Sequence, residues 1–249
     1  STAGSSSNFT VSGNLTISSG TFTSTSNILT INGNFSNSGT FTHNSGTVNF
    51  NGSGSQTITG ATTFSTLKIN NSSGVTLANA ITATTLTIGD VTSNSIFNDG
   101  GFQLTSTGTL NLTSGTFKLG SSGTATAFPA FTTRNISAGT TVEYASGVAQ
   151  TVSVTPGYQN LTYSGAGAKT VAADGTLSVA GNFSTSGGTA TFTTTANATI
   201  TGNISGTGAI TMGSGTLTAG ASWTNNGTFT AGTGRVNYNG SSQTIAPLT

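Results

Sequence analysis

Ten side chains in this sequence can carry the charge that most enzyme chemistry needs: Asp90, Asp99, Glu143, Asp174, Lys68, Lys118, Lys169, Arg134, Arg235 and His43. Glycoside cleavage requires two carboxylates facing one bond, and a calcium-assisted lyase requires a cluster of carboxylates beside a base. The spacing here supports neither. Asp90, Asp99 and Asp174 each stand next to glycine, in Gly89-Asp90, Asp99-Gly100 and Asp174-Gly175, which is turn chemistry. Glu143 is the middle residue of Val142-Glu143-Tyr144, and the sister segments carry Asn49 and Asn237 at that point, so neutral residues serve equally there. His43 lies in the turn Thr42-His43-Asn44-Ser45-Gly46, with no second histidine and no cysteine to complete a metal site. The expectation is no catalytic residue, no metal, no cofactor and no enzyme.

Hydroxyls are the remaining chemistry. Thr21-Phe22-Thr23, Thr40-Phe41-Thr42, Thr191-Phe192-Thr193 and Thr228-Phe229-Thr230 have the spacing of a flat threonine array, which on a β-solenoid can bind ice. Strand alternation alone also puts Phe inward and both Thr outward, and Thr116-Phe117-Lys118 places a charge in one such triplet. Asn-x-Ser/Thr sequons are many (Asn8, Asn14, Asn34, Asn51, Asn111, Asn160, Asn203, Asn226 and Asn239 among them), as expected of a chain rich in all three residues.

The elements that must position these residues are short strands. Leu15-Thr16-Ile17, Leu29-Thr30-Ile31, Val48-Asn49-Phe50, Leu67-Lys68-Ile69, Leu86-Thr87-Ile88, Leu110-Asn111-Leu112 and Phe117-Lys118-Leu119 all alternate apolar, polar, apolar, and Gly, Asn or Ser bounds them. Period-two alternation puts the apolar pair on one face. No stretch combines a 3.6-residue period with helix formers, so the chain reads as all-β. The 14 Phe argue for a packed core rather than disorder, and the aromatic residues, Trp223 included, read as core.

Repeats then fix the architecture. Gly13-Asn14-Leu15 returns as Gly33-Asn34-Phe35, and Gly20-Thr21-Phe22-Thr23 returns as Gly39-Thr40-Phe41-Thr42. A unit of about 20 residues with two or three strands is one coil of a parallel β-solenoid, or β-helix. A longer period lies above it: Val48-Asn49-Phe50, Val142-Glu143-Tyr144 and Val236-Asn237-Tyr238 are 94 residues apart (142 − 48 and 236 − 142). Gln56-Thr57-Ile58, Gln150-Thr151-Val152 and Gln243-Thr244-Ile245 follow the same period, the last after one deletion. The expected organisation is one continuous solenoid over 1–249, with super-repeat copies at 1–47 (partial), 48–141, 142–235 and 236–249 (partial), each roughly five coils.

The strings VNFNGSGSQTITG, TVEYASGVAQTVSVTPGYQNLTYSGAGAKT and GRVNYNGSSQTIAPL resemble repeats of long bacterial surface proteins, adhesin-like and similar to filamentous-haemagglutinin and autotransporter rods. The resemblance implies a parallel β-helix serving as a surface stalk, adhesin or fibre, located outside the cell.

Composition agrees with stacking. Only 4% of residues are charged, against roughly 25% in ordinary soluble domains. Coils stack at about 4.8 Å, where like charges in neighbouring coils repel by about 0.9 kcal/mol even at the dielectric of water. Thr, Ser and Asn ladders carry no such penalty. A net charge of +1 gives no footprint for nucleic acid or anionic lipid, and no apolar run is long enough to insert in a membrane.

The ends suggest assembly. Asn8-Phe9-Thr10-Val11-Ser12-Gly13 resembles Asn160-Leu161-Thr162-Tyr163-Ser164-Gly165, and the pattern after Gln243-Thr244-Ile245 stops in mid-repeat. The expectation is head-to-tail stacking of terminal coils through Asn8, Phe9, Val11, Val236, Tyr238, Gln243 and Ile245. The partner is then another copy of the chain or a neighbouring repeat of a longer one. An adhesin rod that binds surface glycans is the alternative function, and an ice-binding solenoid a third.

Overall fold

The computed structural model describes residues 6–90, 94–171, 175–193 and 195–246. Among these there is no helix, and the strands pair parallel. The chain is an all-β parallel β-solenoid of about 11 coils of roughly 20 residues. It divides into two compact units: Ser1–Lys118 with Pro129–Ser137, and Leu119–Phe128 with Ala138–Thr249.

In the first unit the strands Phe9–Val11, Ile28–Ile31, Thr47–Phe50, Thr63–Ile69, Ile81–Ile88, Thr109–Leu112 and Thr133–Ile136 follow one another across one sheet. Register pairs Leu29 with Val48, Leu67, Leu86 and Leu110 in one inward column, and Ile31 with Phe50, Ile69, Ile88 and Leu112 in the next. Every member is at most 1% exposed. The corner after this sheet feeds Leu15–Ile17, Phe35–Asn37, Gln56–Thr59, Val75–Leu77, Ser95–Asn98 and Gly115–Leu119. Phe35 anchors that corner, edge-on to Phe41 (5.5 Å) and to Phe50 (6.5 Å).

The second unit winds three sheets. Thr141–Tyr144, Asn160–Tyr163, Phe183–Thr185, Ile204–Gly206 and Trp223–Asn225 form one. Gln150–Val152, Lys169–Val171, Ala190–Phe192, Ile210–Thr211 and Phe229–Thr230 form the second, and Thr176–Val179, Asn197–Ile200, Thr216–Ala219 and Arg235–Tyr238 the third. Four coils carry Val142 through Leu161, Phe183 and Ile204 to Trp223, and Val236 lies two strands further on, in a different sheet. The 94-residue interval is therefore shorter than five coils, and the two copies within this unit start on different faces.

All seven alternating triplets lie in strands. Positive φ at the corners falls almost wholly to glycine among the described residues. Thirteen described glycines adopt it, but the only non-glycine residues that do so among the described ones are Asn44 (φ 48°) and Ser45 (φ 59°). Asparagine works through its side chain instead. Asn14 Oδ1 accepts from Asn34 N–H at 2.8 Å, Asn34 Oδ1 from Thr57 N–H at 2.9 Å, and Asn160, Asn182 and Asn203 hand the same bond from coil to coil in the second unit. Each amide satisfies a backbone donor just outside the strand ladder, where a bare N–H costs free energy.

Two corner substitutions test this geometry. Gly206 sits at φ +118°, and a Cβ there meets Thr185 O at 1.9 Å, so Gly206→Ala is expected to lose at least about 2 kcal/mol in urea denaturation. Ser45→Gly relieves a left-handed backbone and is expected to gain about 1 kcal/mol in the same assay.

Candidate functional site

The charged residues are dispersed. Register gives Lys68 the neighbours Asn49 and Thr87, Lys118 the neighbour Asn98, Glu143 the neighbour Thr162 and Arg235 the neighbour Thr216. The neighbours named in these pairs are all neutral, so like charges do not meet there. Lys68 and Asp90 approach to 3.8 Å, both about a third exposed, in a pair worth little in water. Asp99 is buried and accepts from Gly101 N–H at 2.9 Å as a turn residue does. Glu143 accepts from Ser164 Oγ–H, and His43 Nδ1 accepts from Ser45 N–H within its own turn. Asp174 lies outside the described residues. Among the described residues no three His, Cys, Asp or Glu side chains cluster to hold a metal, and no helix is long and apolar enough to cross a membrane.

The repeated glutamine proves to be the interior device that sequence reading missed. Gln56 Oε1 accepts from Gly52 N–H (2.9 Å), while its Nε2 donates to Ile31 O (3.0 Å) and Gly33 O of the preceding coil. Gln150 Oε1 accepts from Ser146 N–H (3.2 Å), and its Nε2 donates to Leu119 O (3.2 Å) and Thr126 O (2.9 Å). Gln243 repeats the pattern with Gly240 N–H (3.2 Å), Ala219 O (2.9 Å) and Ala221 O (2.7 Å). One carboxamide thus ties three corner groups, of which Ile31 O, Leu119 O and Ala219 O each also accept a backbone N–H of the next coil (Asn51, Ala145 and Asn239). The recurrence of Gln at the super-repeat period was the available signal, and only the three-dimensional corner gives it meaning.

Lys169 is the in-register neighbour of Gln150 and fully buried. Its ammonium donates to Ser146 O and Gly167 O, both at 2.7 Å, so it ties a corner as glutamine does. Burial lowers its pKa below the usual lysine value. Val75, its counterpart in the super-repeat, holds the same place beside Gln56 with an apolar side chain.

Beside this corner lies a buried tyrosine cluster. The hydroxyls of Tyr144 and Tyr158 bond at 2.8 Å, Tyr158 Oη donates to Ser153 O at 2.7 Å, and Ser153 N–H donates to Tyr144 Oη at 3.1 Å. Tyr163 stands edge-on to Tyr144 and to Phe183, with its buried hydroxyl unpartnered. Burial pushes the Tyr144 phenol up to about 12, against the pull of its hydrogen bonds. Burial first, then the neighbouring tyrosines, hold Tyr158 and Tyr163 well above the ordinary value of 10.0.

Outside, the second unit carries a trough of about 600 Å³ lined by two columns, Asn160, Asn182, Asn203 and Ser222 beside Thr162, Ser184, Ser205 and Thr224. Thr162 and Ser184 hydroxyls bond across coils at 3.1 Å. The long threonine columns are not made by the Thr-Phe-Thr triplets. Thr21 and Thr23 do align with Thr40 and Thr42. In the second unit, however, Thr191, the first residue of its triplet, shares a column with Thr230, the last of its own, together with Thr151, Thr170 and Thr211. A second column, Thr47, Thr66, Thr85, Thr109 and Thr133, runs beside one holding Asn49, Lys68, Thr87, Asn111 and Asn135.

The residues expected to stack lie on two coils. Asn8, Phe9 and Val11 belong to the first unit, where Phe9 is 47% exposed and Asn8 Oδ1 accepts weakly from Ile28 N–H at 3.4 Å. Val236, Tyr238, Gln243 and Ile245 belong to the second. Tyr238 packs on Trp223 at 6.3 Å, the Gln243 amide is spent in its own corner, and Ile245 bridges to Trp223 while staying 48% exposed. No protein-family model, curated protein or solved structure matches the sequence.

The tyrosine cluster gives a pH dependence. Native tyrosines with raised pKa values hold protons that the unfolded chain releases above pH 10, so stability is level below that pH and falls above it. The slope is about 1.4 kcal/mol per pH unit for each such tyrosine. Urea midpoints measured from pH 8 to 11.5 check this, and Tyr163→Phe is expected to reduce the slope.

Proposed function

We propose that this chain is a structural segment of an extracellular bacterial filament or surface stalk, and that it lengthens by head-to-tail stacking of terminal β-coils on further copies of itself. The observation that carries the reading is an uncharged strand that lies outermost in its sheet among the described residues. Phe9–Val11 pairs with Ile28–Ile31 on one side, and no described strand covers the other. Such edges are ordinarily blunted by charge, proline or a covering element. Here the edge residues are Phe9, Thr10 and Val11, with Phe9 and Ile28 exposed. Beside them a slot of about 250 Å³, lined by Thr16, Ile17, Ser18, Ser19, Thr21 and Phe22, opens on the same coil. The second unit offers Ile245 and the strand Arg235–Tyr238, which pairs only with Thr216–Ala219 among the described strands.

A further coil would complete both ladders and cover this apolar surface, and a contact of unlike ends does not close, so it propagates. Uncharged ladders suit such a role, because every added coil repeats the same side chains at the same spacing without accumulating repulsion. The resemblance of the repeats to bacterial surface rods supports the extracellular setting.

A second reading, an adhesin rod that holds a neutral glycan, draws on the polar trough of the second unit. Retardation of the protein in gels containing neutral polysaccharide would favour it. The threonine columns keep an ice-binding face as a third reading, which thermal hysteresis measures.

Negative-stain microscopy and light scattering of the purified chain test the main proposal. Fibres that lengthen with protein concentration are expected, and Phe9→Lys or Ile245→Lys should shorten them without loss of the β-sheet circular dichroism signal. A monodisperse monomer at high concentration would overturn it.

A further inference from the structure

The sequence contains four Asn-Gly pairs, at Asn32-Gly33, Asn51-Gly52, Asn226-Gly227 and Asn239-Gly240. This dipeptide is chemically fragile. The glycine nitrogen loses its proton and attacks Cγ of the asparagine side chain, a new N–C bond forms, and ammonia leaves. The resulting succinimide is opened by water to aspartate or isoaspartate. The step requires a free glycine N–H and a backbone that can swing the nitrogen onto Cγ.

Neither condition holds at any of the four pairs. Gly33 N–H donates to Gly13 O (3.0 Å), Gly52 N–H to Gln56 Oε1 (2.9 Å), Gly227 N–H to Asn225 Oδ1 (2.8 Å) and Gly240 N–H to Gln243 Oε1 (3.2 Å). The asparagine N–H groups are fixed too, by the previous coil: Asn32 to Val11 O (3.0 Å), Asn51 to Ile31 O (3.1 Å), Asn226 to Gly206 O (2.8 Å) and Asn239 to Ala219 O (3.1 Å). Both amides of each pair are therefore held, the asparagine N–H by the previous coil and the glycine N–H by the previous coil at Gly33 and by a side-chain amide oxygen at the other three. At two pairs the acceptor is the carboxamide of the corner glutamine.

We infer that the corner hydrogen bonds, those of Gln56 and Gln243 above all, block succinimide formation at the four Asn-Gly pairs, so that the folded solenoid resists spontaneous deamidation. The residue that ties the corner also guards the Asn-Gly peptide three to five residues before it. Gln150 makes the same tie where Ala145-Ser146 replaces Asn-Gly, which supplies a matched control. A net charge of +1 and uncharged columns make the consequence tangible. Each conversion would place a new carboxylate on a coil whose stacked neighbours are neutral. The inference is independent of filament assembly.

Peptide mapping by mass spectrometry after incubation at mildly alkaline pH tests it. In the folded chain, conversion at all four pairs is expected to be at least about 100-fold slower than in the same chain unfolded in urea, because it must await local opening. Gln56→Met is expected to raise conversion at Asn51 about tenfold while Asn226 and Asn239 keep their rates, and Gln243→Met should do the converse at Asn239. Gln150→Met should change neither. Equal rates in folded and unfolded wild-type chain would overturn the inference whatever the variants do. So would a folded Gln56→Met chain whose Asn51 converts at the wild-type rate.

Discussion

Everything in this molecule depends on the in-register stacking of one coil on the next. A parallel strand pair evenly spaced at about 4.8 Å repeats each side chain's neighbour every coil. That repetition decides which residues are allowed. Inward positions become columns such as Leu29, Val48, Leu67, Leu86 and Leu110, a core shared from each coil to the next. Outward positions become columns in which like charges would face one another, and they hold mostly Thr, Ser and Asn, with Lys68 standing among Asn49, Thr87, Asn111 and Asn135.

The corners are where stacking alone is insufficient. Between strands the chain turns, and its N–H and C=O groups leave the ladder. Three solutions recur: glycine where the next coil's backbone comes within contact of a missing Cβ, asparagine Oδ1 passed from coil to coil, and a buried glutamine spanning two coils. Lys169 is the same solution with a charge in it, held by two carbonyls. Burial lowers its pKa as the cost of the role. Asn37 and Asn225, which open the like segments Asn37-Ser38-Gly39-Thr40-Phe41-Thr42 and Asn225-Asn226-Gly227-Thr228-Phe229-Thr230, share their chemistry as well. Asn37 Oδ1 accepts from Gly39 N–H and Asn225 Oδ1 from Gly227 N–H, and both donate Nδ2 to a threonine hydroxyl (Thr62 and Thr185).

The strands and the parallel solenoid were legible in the sequence, because period-two alternation and a coil-length repeat each have one simple physical reading. Trp223 reads correctly as core for the same reason. The corner chemistry was not legible. Gln56, Gln150 and Gln243 look like ordinary polar residues at strand starts, and nothing local says that their amides turn inward to carbonyls more than twenty residues back. The face on which each super-repeat copy begins was equally hidden, since it depends on the summed lengths of many corners. Thr191 and Thr230 show the consequence, sharing a column from opposite ends of identical-looking triplets.

The stacking register is open to a direct chemical measurement, because the sequence has no cysteine. Thr66 and Thr85 are paired in register on adjacent coils with both side chains outward. At coil spacing their Cα atoms fall within the range a disulfide spans. Oxidation of a chain carrying Thr66→Cys and Thr85→Cys should give one intramolecular disulfide in nearly all molecules, whereas Thr47→Cys with Thr85→Cys, two coils apart, should give none. The reverse outcome, or equal yields from both pairs, would contradict the stacked register on which the fold, the neutral columns and the corner ties all rest.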